Sequence, residues 1–138
     1  MNSRLDTLQA AIMLPKLDVF ETELIQRQEV ANRYARLLAQ ADIREPFVAT
    51  ESQSSWAQYT VQVDSRDAVQ AHLKSAGVPT AVHYPIPLNR QPAVKDERAY
   101  LPVGEAIAKR VMSLPMHPYL DEDAQCFIVN TLKESLSA

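Results

Sequence analysis

Apolar positions in the first forty residues recur at three- and four-residue intervals. Leu5, Leu8 and Ile12 are followed by Leu17, Phe20 and Leu24, then by Val30, Tyr34, Leu37 and Leu38. This spacing predicts one long helical region, with Ser3 and Asp6 at the N-cap and N3 positions of its start. Pro15 falls inside the pattern and predicts a kink or break near Leu14, because it removes a backbone donor and crowds the preceding turn. A helix from Ser3 to about Ala41 would span roughly 55 Å at 1.5 Å per residue. That is longer than a compact domain of this size needs, so part of it is expected to serve something outside the domain.

The pattern changes beyond residue 41. Residues 43–48 are short and interrupted by Pro46, which predicts an edge strand or extended loop, and ESQSS at 51–55 reads as a surface connection. In WAQYTVQV, 56–63, Ala57, Tyr59, Val61 and Val63 alternate with polar residues, the period of a half-buried strand. Asp64 or Ser65 caps a predicted helix over 66–76, and Gly77 stands where a left-handed residue ends it. TAVHYP, 80–85, reads as a second strand. Pro85, Pro87 and Pro92 then impose a stiff, extended loop, and helices are predicted over about 103–112 and 121–136, separated by SLPMHPYL. No internal repeat or low-complexity tract is visible.

Composition narrows the possible chemistry. The 138 residues are 46% apolar with a formal charge of −3, enough for one domain burying about 68% of its unfolded surface. They offer no basic field for a nucleic-acid backbone. With two glycines there is no Gly-rich phosphate loop, and no apolar run has the length of a membrane span. The lone Cys126 forms no internal disulfide, and the expected setting is reducing and cytoplasmic. His72, His83 and His117 lack metal-ligand spacing. His72 reads as a solvated helix residue, His117 as a turn residue, Trp56 as core or interface packing, and Arg90 as either an anion contact or an exposed loop residue.

Two clusters remain. Asn2, Ser3 and Arg4 set an amide, free helix N–H groups and a guanidinium together, a combination suited to phosphate or carboxylate and also to an ordinary capped helix start. His83 and Tyr84 precede Pro85, which ends the strand. Both side chains can then meet a ligand at the loop, or a packed Tyr can sit beside a surface His.

Taken in order, NSRLDTLQAAI, the long helix, QYTVQV, GVPTAVHYPIPLNRQPA and SLPMHPYL resemble the C-terminal region of the DegT-type nucleotide-sugar aminotransferases over essentially the whole chain. The resemblance implies an α+β fold, the small C-terminal domain of the aspartate-aminotransferase-like architecture. Residues 1–41 would form the long connecting helix region and 42–138 the small domain. It also implies pyridoxal 5'-phosphate as cofactor and a homodimer with active sites at the subunit interface. The reaction implied is amino transfer, commonly from glutamate, to a keto sugar on a nucleoside diphosphate. By position, Asn2 matches a residue reaching across the dimer to the cofactor phosphate, Arg4 one near the anionic end of the substrate, and His83 and Tyr84 loop residues that approach the nucleotide sugar. The wording is closest to enzymes that aminate a UDP-linked 3-keto-glucuronic acid derivative for lipopolysaccharide O-antigen synthesis. Asn89 departs from the His of the family's P-L-H-x-Q version, and Gly104 is unusual within a helix.

In such enzymes the cofactor lysine lies upstream of the NxRLDxLQAA stretch. Lys16, Lys74, Lys95, Lys109 and Lys133 all follow it, and none matches that lysine's context. The chain is therefore expected to be a C-terminal fragment, inactive by itself, with no catalytic residue of its own. The alternatives are a ligand-sensing, non-catalytic relative and a stand-alone interaction domain.

Overall fold

The computed structural model describes residues 5–41 and 43–137. The helix α1 runs Thr7–Ala39, and its cap is Asp6 rather than the expected Ser3, which lies outside the described residues. Asp6 Oδ1 accepts from the Leu8 amide at 3.4 Å while Gln9 Oε1 accepts from the Asp6 amide at 3.2 Å, the reciprocal pattern of a capping box. Of the kink or break expected near Pro15, the break does not occur. The helix continues through it and forgoes a single ladder bond, the one Pro15 would have donated to Ala11.

A two-stranded antiparallel sheet lies near the centre. Strand β1, Tyr59–Gln62, pairs with β2, Val111–Leu114, in a register that sets Tyr59 opposite Leu114 and Thr60 opposite Ser113. The helix α2, Arg66–Ser75, follows β1 and ends at Gly77, whose φ of +80° is the left-handed conformation its sequence position implied. Ser65 fills the N-cap position of α2 without a side-chain cap bond. A short helix α3, Pro102–Ala108, precedes β2, and α4, Glu122–Ser137, closes the chain. Asp121 Oδ1 caps α4 by accepting from the Ala124 amide at 2.7 Å.

Two predicted elements change. The strand expected over 80–85 reduces to a single bridge, Ala81 with Ser113, because Pro79 and Pro85 bracket a segment with no room for a longer ladder. The helix expected over 103–112 stops at Ala108. Beyond the turn at Lys109–Arg110, the β-branched Val111 opens a strand whose last three residues are buried. Residues 43–48 take the extended-loop form of their two expected ones.

The core gathers the C-terminal half of α1 (Val30, Ala31, Tyr34, Leu38), the inner face of β1 (Tyr59, Val61), Met112 and Leu114 of β2, and Ile128, Val129 and Leu132 of α4. The helix α4 packs against both α1 and α2. Trp56, with φ +49°, reverses the alternation ahead of β1, so that Trp56 is buried and Ala57 exposed. Its ring stacks on Tyr59 at 5.4 Å, and Tyr59 lies 4.9 Å from Tyr34. A buried clamp ties α1 to α4. Arg33 donates to Gln125 Oε1 at 2.6 Å and to the Leu120 carbonyl at 2.7 Å, while Gln125 Nε2 donates to the Val30 carbonyl at 2.9 Å.

The first half of α1 is different. From Thr7 to Thr22 every side chain except Ala10 is exposed, including Leu8, Ile12, Leu14, Leu17 and Phe20.

Candidate functional site

Pairing of Ala81 with Ser113 fixes where the chain leaves the sheet. The Ser113 amide donates to the Ala81 carbonyl at 2.7 Å and the Ala81 amide donates back at 3.2 Å. Two residues later come His83 and Tyr84, joined by a cis peptide, with their rings edge to face at 5.6 Å. Both side chains are exposed, and both line one cavity of about 470 Å³ whose other walls include Ile86, Leu88, Gly104 and Ile107. Neither ring is packed in the core.

The proline-rich loop that forms one wall is pinned to α3. Arg90 meets Glu105 through Nε at 2.9 Å and a second nitrogen at 2.8 Å, a forked contact that holds the Glu105 carboxyl below the usual carboxylate range. Asn89 Nδ2 also reaches Glu105, at 3.4 Å, and Gln91 Nε2 donates to the Ile86 carbonyl at 3.1 Å. Arg90 is thus engaged with α3. Asn89 is buried, and its Oδ1 has no partner among the described residues. Three residues of this brace, Asn89, Gln91 and Glu105, were not singled out as a unit from sequence, because the brace forms only when the loop folds against α3.

The remaining candidates separate from the cavity. Asn2 and Arg4 lie outside the described residues. His117 is an exposed turn residue whose carbonyl accepts from the Leu120 amide at 3.3 Å, and His72 is exposed on α2. Trp56 belongs to the core, where Nε1 donates to Gln28 Oε1 at 2.8 Å. Among the described residues no group of three His, Cys, Asp or Glu is placed to hold a metal, and no helix is long and apolar enough to cross a membrane.

The cavity's chemistry is that of recognition. An imidazole and a phenol stand at its rim over apolar walls, suited to hydrogen-bonding an oxygen-rich ligand while excluding water from one side. No lysine lines it, and Lys16, Lys74, Lys95, Lys109 and Lys133 are all exposed. The described residues therefore do not by themselves fit pyridoxal phosphate, which needs an amine for covalent attachment and donors for its phosphate.

Comparison with known proteins sets this cavity in context. Residues 1–133 match the DegT/DnrJ/EryC1/StrS aminotransferase family. The chain belongs to that family. It is 64% identical over 121 residues to the UDP-2-acetamido-2-deoxy-3-oxo-D-glucuronate aminotransferase of Pseudomonas aeruginosa, covering 88% of this chain and 34% of that protein. It is 37% identical to a Geobacillus stearothermophilus protein named as a pleiotropic regulatory protein, covering 96% of this chain and 37% of the relative. A crystal structure of a family aminotransferase from Brucella abortus superposes on all of this chain and 38% of its own, with TM-score 0.91 and 38% identity. Spr1654 of Streptococcus pneumoniae, solved in a PLP form, matches with TM-score 0.83 and 26% identity over 94% of this chain and 35% of its own. This family member thus has an α+β fold shared with part of those aminotransferases, and it spans about a third of the length of the curated relatives it matches.

Proposed function

We propose that the DegT-family chain described here supplies the substrate-contacting part of a PLP-dependent aminotransferase acting on a UDP-linked 3-keto-glucuronate sugar, with glutamate as amino donor, in lipopolysaccharide O-antigen synthesis. The observation that carries the reading is the joint exposure of His83 and Tyr84 on one cavity, in a chain 64% identical to an aminotransferase named for that substrate. Residues 1–41 are read as the connecting helix region and 42–138 as the small domain of a cytoplasmic homodimer.

Pyridoxal phosphate, held by the rest of the enzyme, supplies the electron sink for amino transfer. This chain's residues bind and orient. His83 donates to an oxygen of the sugar nucleotide, and the Tyr84 hydroxyl offers a second hydrogen bond beside it. The walls formed by Ile86, Leu88 and Ile107 exclude water from that side of the ligand. Arg4 is assigned to the anionic end of the substrate, where a guanidinium can grip a carboxylate in two places. Asn2 is assigned to the phosphate of the cofactor held by the other subunit.

In the enzyme restored to the length of its relatives, His83→Ala and Tyr84→Ala should each raise KM for the keto-uronate nucleotide by roughly 5- to 10-fold, the equivalent of one lost hydrogen bond of about 1–1.5 kcal/mol. Unchanged kinetics in both variants would remove the site assignment. The second reading, a ligand-sensing protein, is favoured by the relative named as a pleiotropic regulatory protein. It predicts that the restored protein binds the nucleotide sugar without transferring an amino group.

A further inference from the structure

Thr60, Ser113 and His83 lie on one face of the small sheet, for reasons of register. Thr60 and Ser113 are directly opposed across β1 and β2. Ser113 is opposed on its other side by Ala81, and its backbone groups are spent on that bridge. Thr60 and Ser113 therefore form a non-hydrogen-bonded pair, whose side chains come closest. His83 stands two residues beyond Ala81, with its ring turned toward the same side. The side chains meet accordingly. Thr60 Oγ1 and Ser113 Oγ are 3.0 Å apart, and Ser113 Oγ lies 3.4 Å from His83 Nδ1, at the long end of hydrogen-bond reach. Ser113 is buried and His83 is exposed, so the hydroxyl approaches the ring from the protein side.

We propose that Ser113, backed by Thr60, is the positioning residue for His83. The Thr60 hydroxyl donates to Ser113 Oγ, the Ser113 hydroxyl donates to Nδ1, and the hydrogen of the neutral ring stays on Nε2. A histidine's tautomer is set by the bond its other nitrogen makes. A neutral imidazole also prefers the Nε2–H form intrinsically, which agrees with this direction of donation. The ring then presents an N–H donor to the cavity, and the group it selects is an acceptor oxygen, a carboxylate or phosphate of the ligand. A ligand offering only a hydroxyl hydrogen at that point would find no acceptor. The assignment rests on the proposed role of His83 in substrate binding and adds the origin of its polarity.

The test begins with the chain itself, carrying ¹⁵N in its three histidines, at about pH 9, where imidazoles are neutral. His72 and His117 are exposed and serve as references, expected to show freely exchanging tautomers. His83 should stand apart, with a pyridine-like Nδ1 and a pyrrole-like Nε2. Ser113→Ala should return it to the exchanging pattern, Thr60→Val should shift it part of the way, and Ser113→Thr should restore it. A wild-type His83 indistinguishable from the other two, or one unaffected by both Ser113→Ala and Thr60→Val, would overturn the proposal. In the enzyme restored to full length, Ser113→Ala should raise KM for the keto-uronate nucleotide about 3- to 10-fold with kcat less affected. The readouts separate the two claims. If His83→Ala leaves KM unchanged while the ¹⁵N pattern behaves as described, the binding role of His83 fails and its positioning by Ser113 stands. If His83→Ala raises KM and Ser113→Ala changes neither readout, the positioning alone fails.

Discussion

Tyr34 shows how one residue ties burial, hydrogen bonding and pH together. Its side chain is fully buried, its hydroxyl donates to the Pro115 carbonyl at 2.8 Å, and burial, with Tyr59 nearby, pushes its pKa well above the ordinary tyrosine value. Tyr59 is raised likewise, by burial first and the Glu45 charge second. In the unfolded chain both phenols ionise near pH 10, whereas in the folded chain they keep their protons to higher pH. The unfolded state then holds fewer protons, so the stability from these groups is complete below about pH 10 and is lost as pH rises toward the folded values. Tyr34→Phe should lower stability by about 1–2 kcal/mol at neutral pH, leaving the Pro115 carbonyl short of its donor. The same variant should flatten the alkaline limb. Chemical denaturation at neutral pH and again near pH 11 measures both effects, and an unchanged alkaline slope would count against the linkage. Glu105 works in the opposite direction. Its lowered pKa, caused chiefly by the Arg90 hydrogen bond, makes the loop brace complete above the usual carboxylate range and weaker as pH falls through the folded value. Amide exchange in residues 88–91 should therefore show less protection in acid, after correction for the intrinsic rate, and Glu105→Gln should remove that dependence.

At the scale of elements, the first half of α1 stands out for the apolar side chains it leaves exposed. The 33 residues of α1 run about 50 Å, but only the segment from Val30 to Leu38 reaches the core. Leu8, Ile12, Leu14, Leu17 and Phe20 are each at least half exposed, on several sides of the helix, so the first half of α1 leaves large apolar side chains in water. The chain alone should associate with itself in a concentration-dependent way, and Leu17→Lys with Phe20→Lys should shift it toward monomer without unfolding the core. Sedimentation velocity over a hundredfold concentration range decides the matter, and a strict monomer throughout would show that this half of the helix does not drive association. The helix was legible because its apolar period extends over many turns, and α2 because a capping residue type at 64–65 and Gly77 bracket it in the sequence, although Ser65 makes no side-chain cap bond. What was not legible has physical reasons. Pro15 signals a break, yet a long helix absorbs one missing bond. The strand β2 is masked because Ile107, Val111 and Leu114 also fit a helical period, and only pairing with β1 makes Val111–Leu114 extended. TAVHYP reads as a strand but finds a partner only at Ala81.

For the whole molecule, the site divides by how far its parts lie from one another in sequence. His83 and Tyr84 were visible because a proline follows them and the motif order resembles that of a known family. Their shared cavity depends on α3, about twenty residues later, and the Ser113 contact to His83 spans thirty positions, distances at which no local pattern speaks. Asn2 and Arg4 were singled out from sequence alone and lie outside the described residues. The cavity offers recognition chemistry, and no lysine lines it. Accordingly, adding pyridoxal phosphate to this chain alone should yield no lysine-bound cofactor absorbance band, and a specific band would mean that one of the exposed lysines serves after all. The most direct measurement is glutamate-dependent amination by the enzyme restored to the length of its relatives. The substrates to compare are the UDP-linked 3-keto-glucuronate and its counterpart with a neutral hydroxymethyl group in place of the carboxylate. The account predicts turnover of the uronate with a kcat/KM at least tenfold higher, and loss of that preference in Arg4→Ala. Equal use of both sugars, or binding without amino transfer, would contradict it.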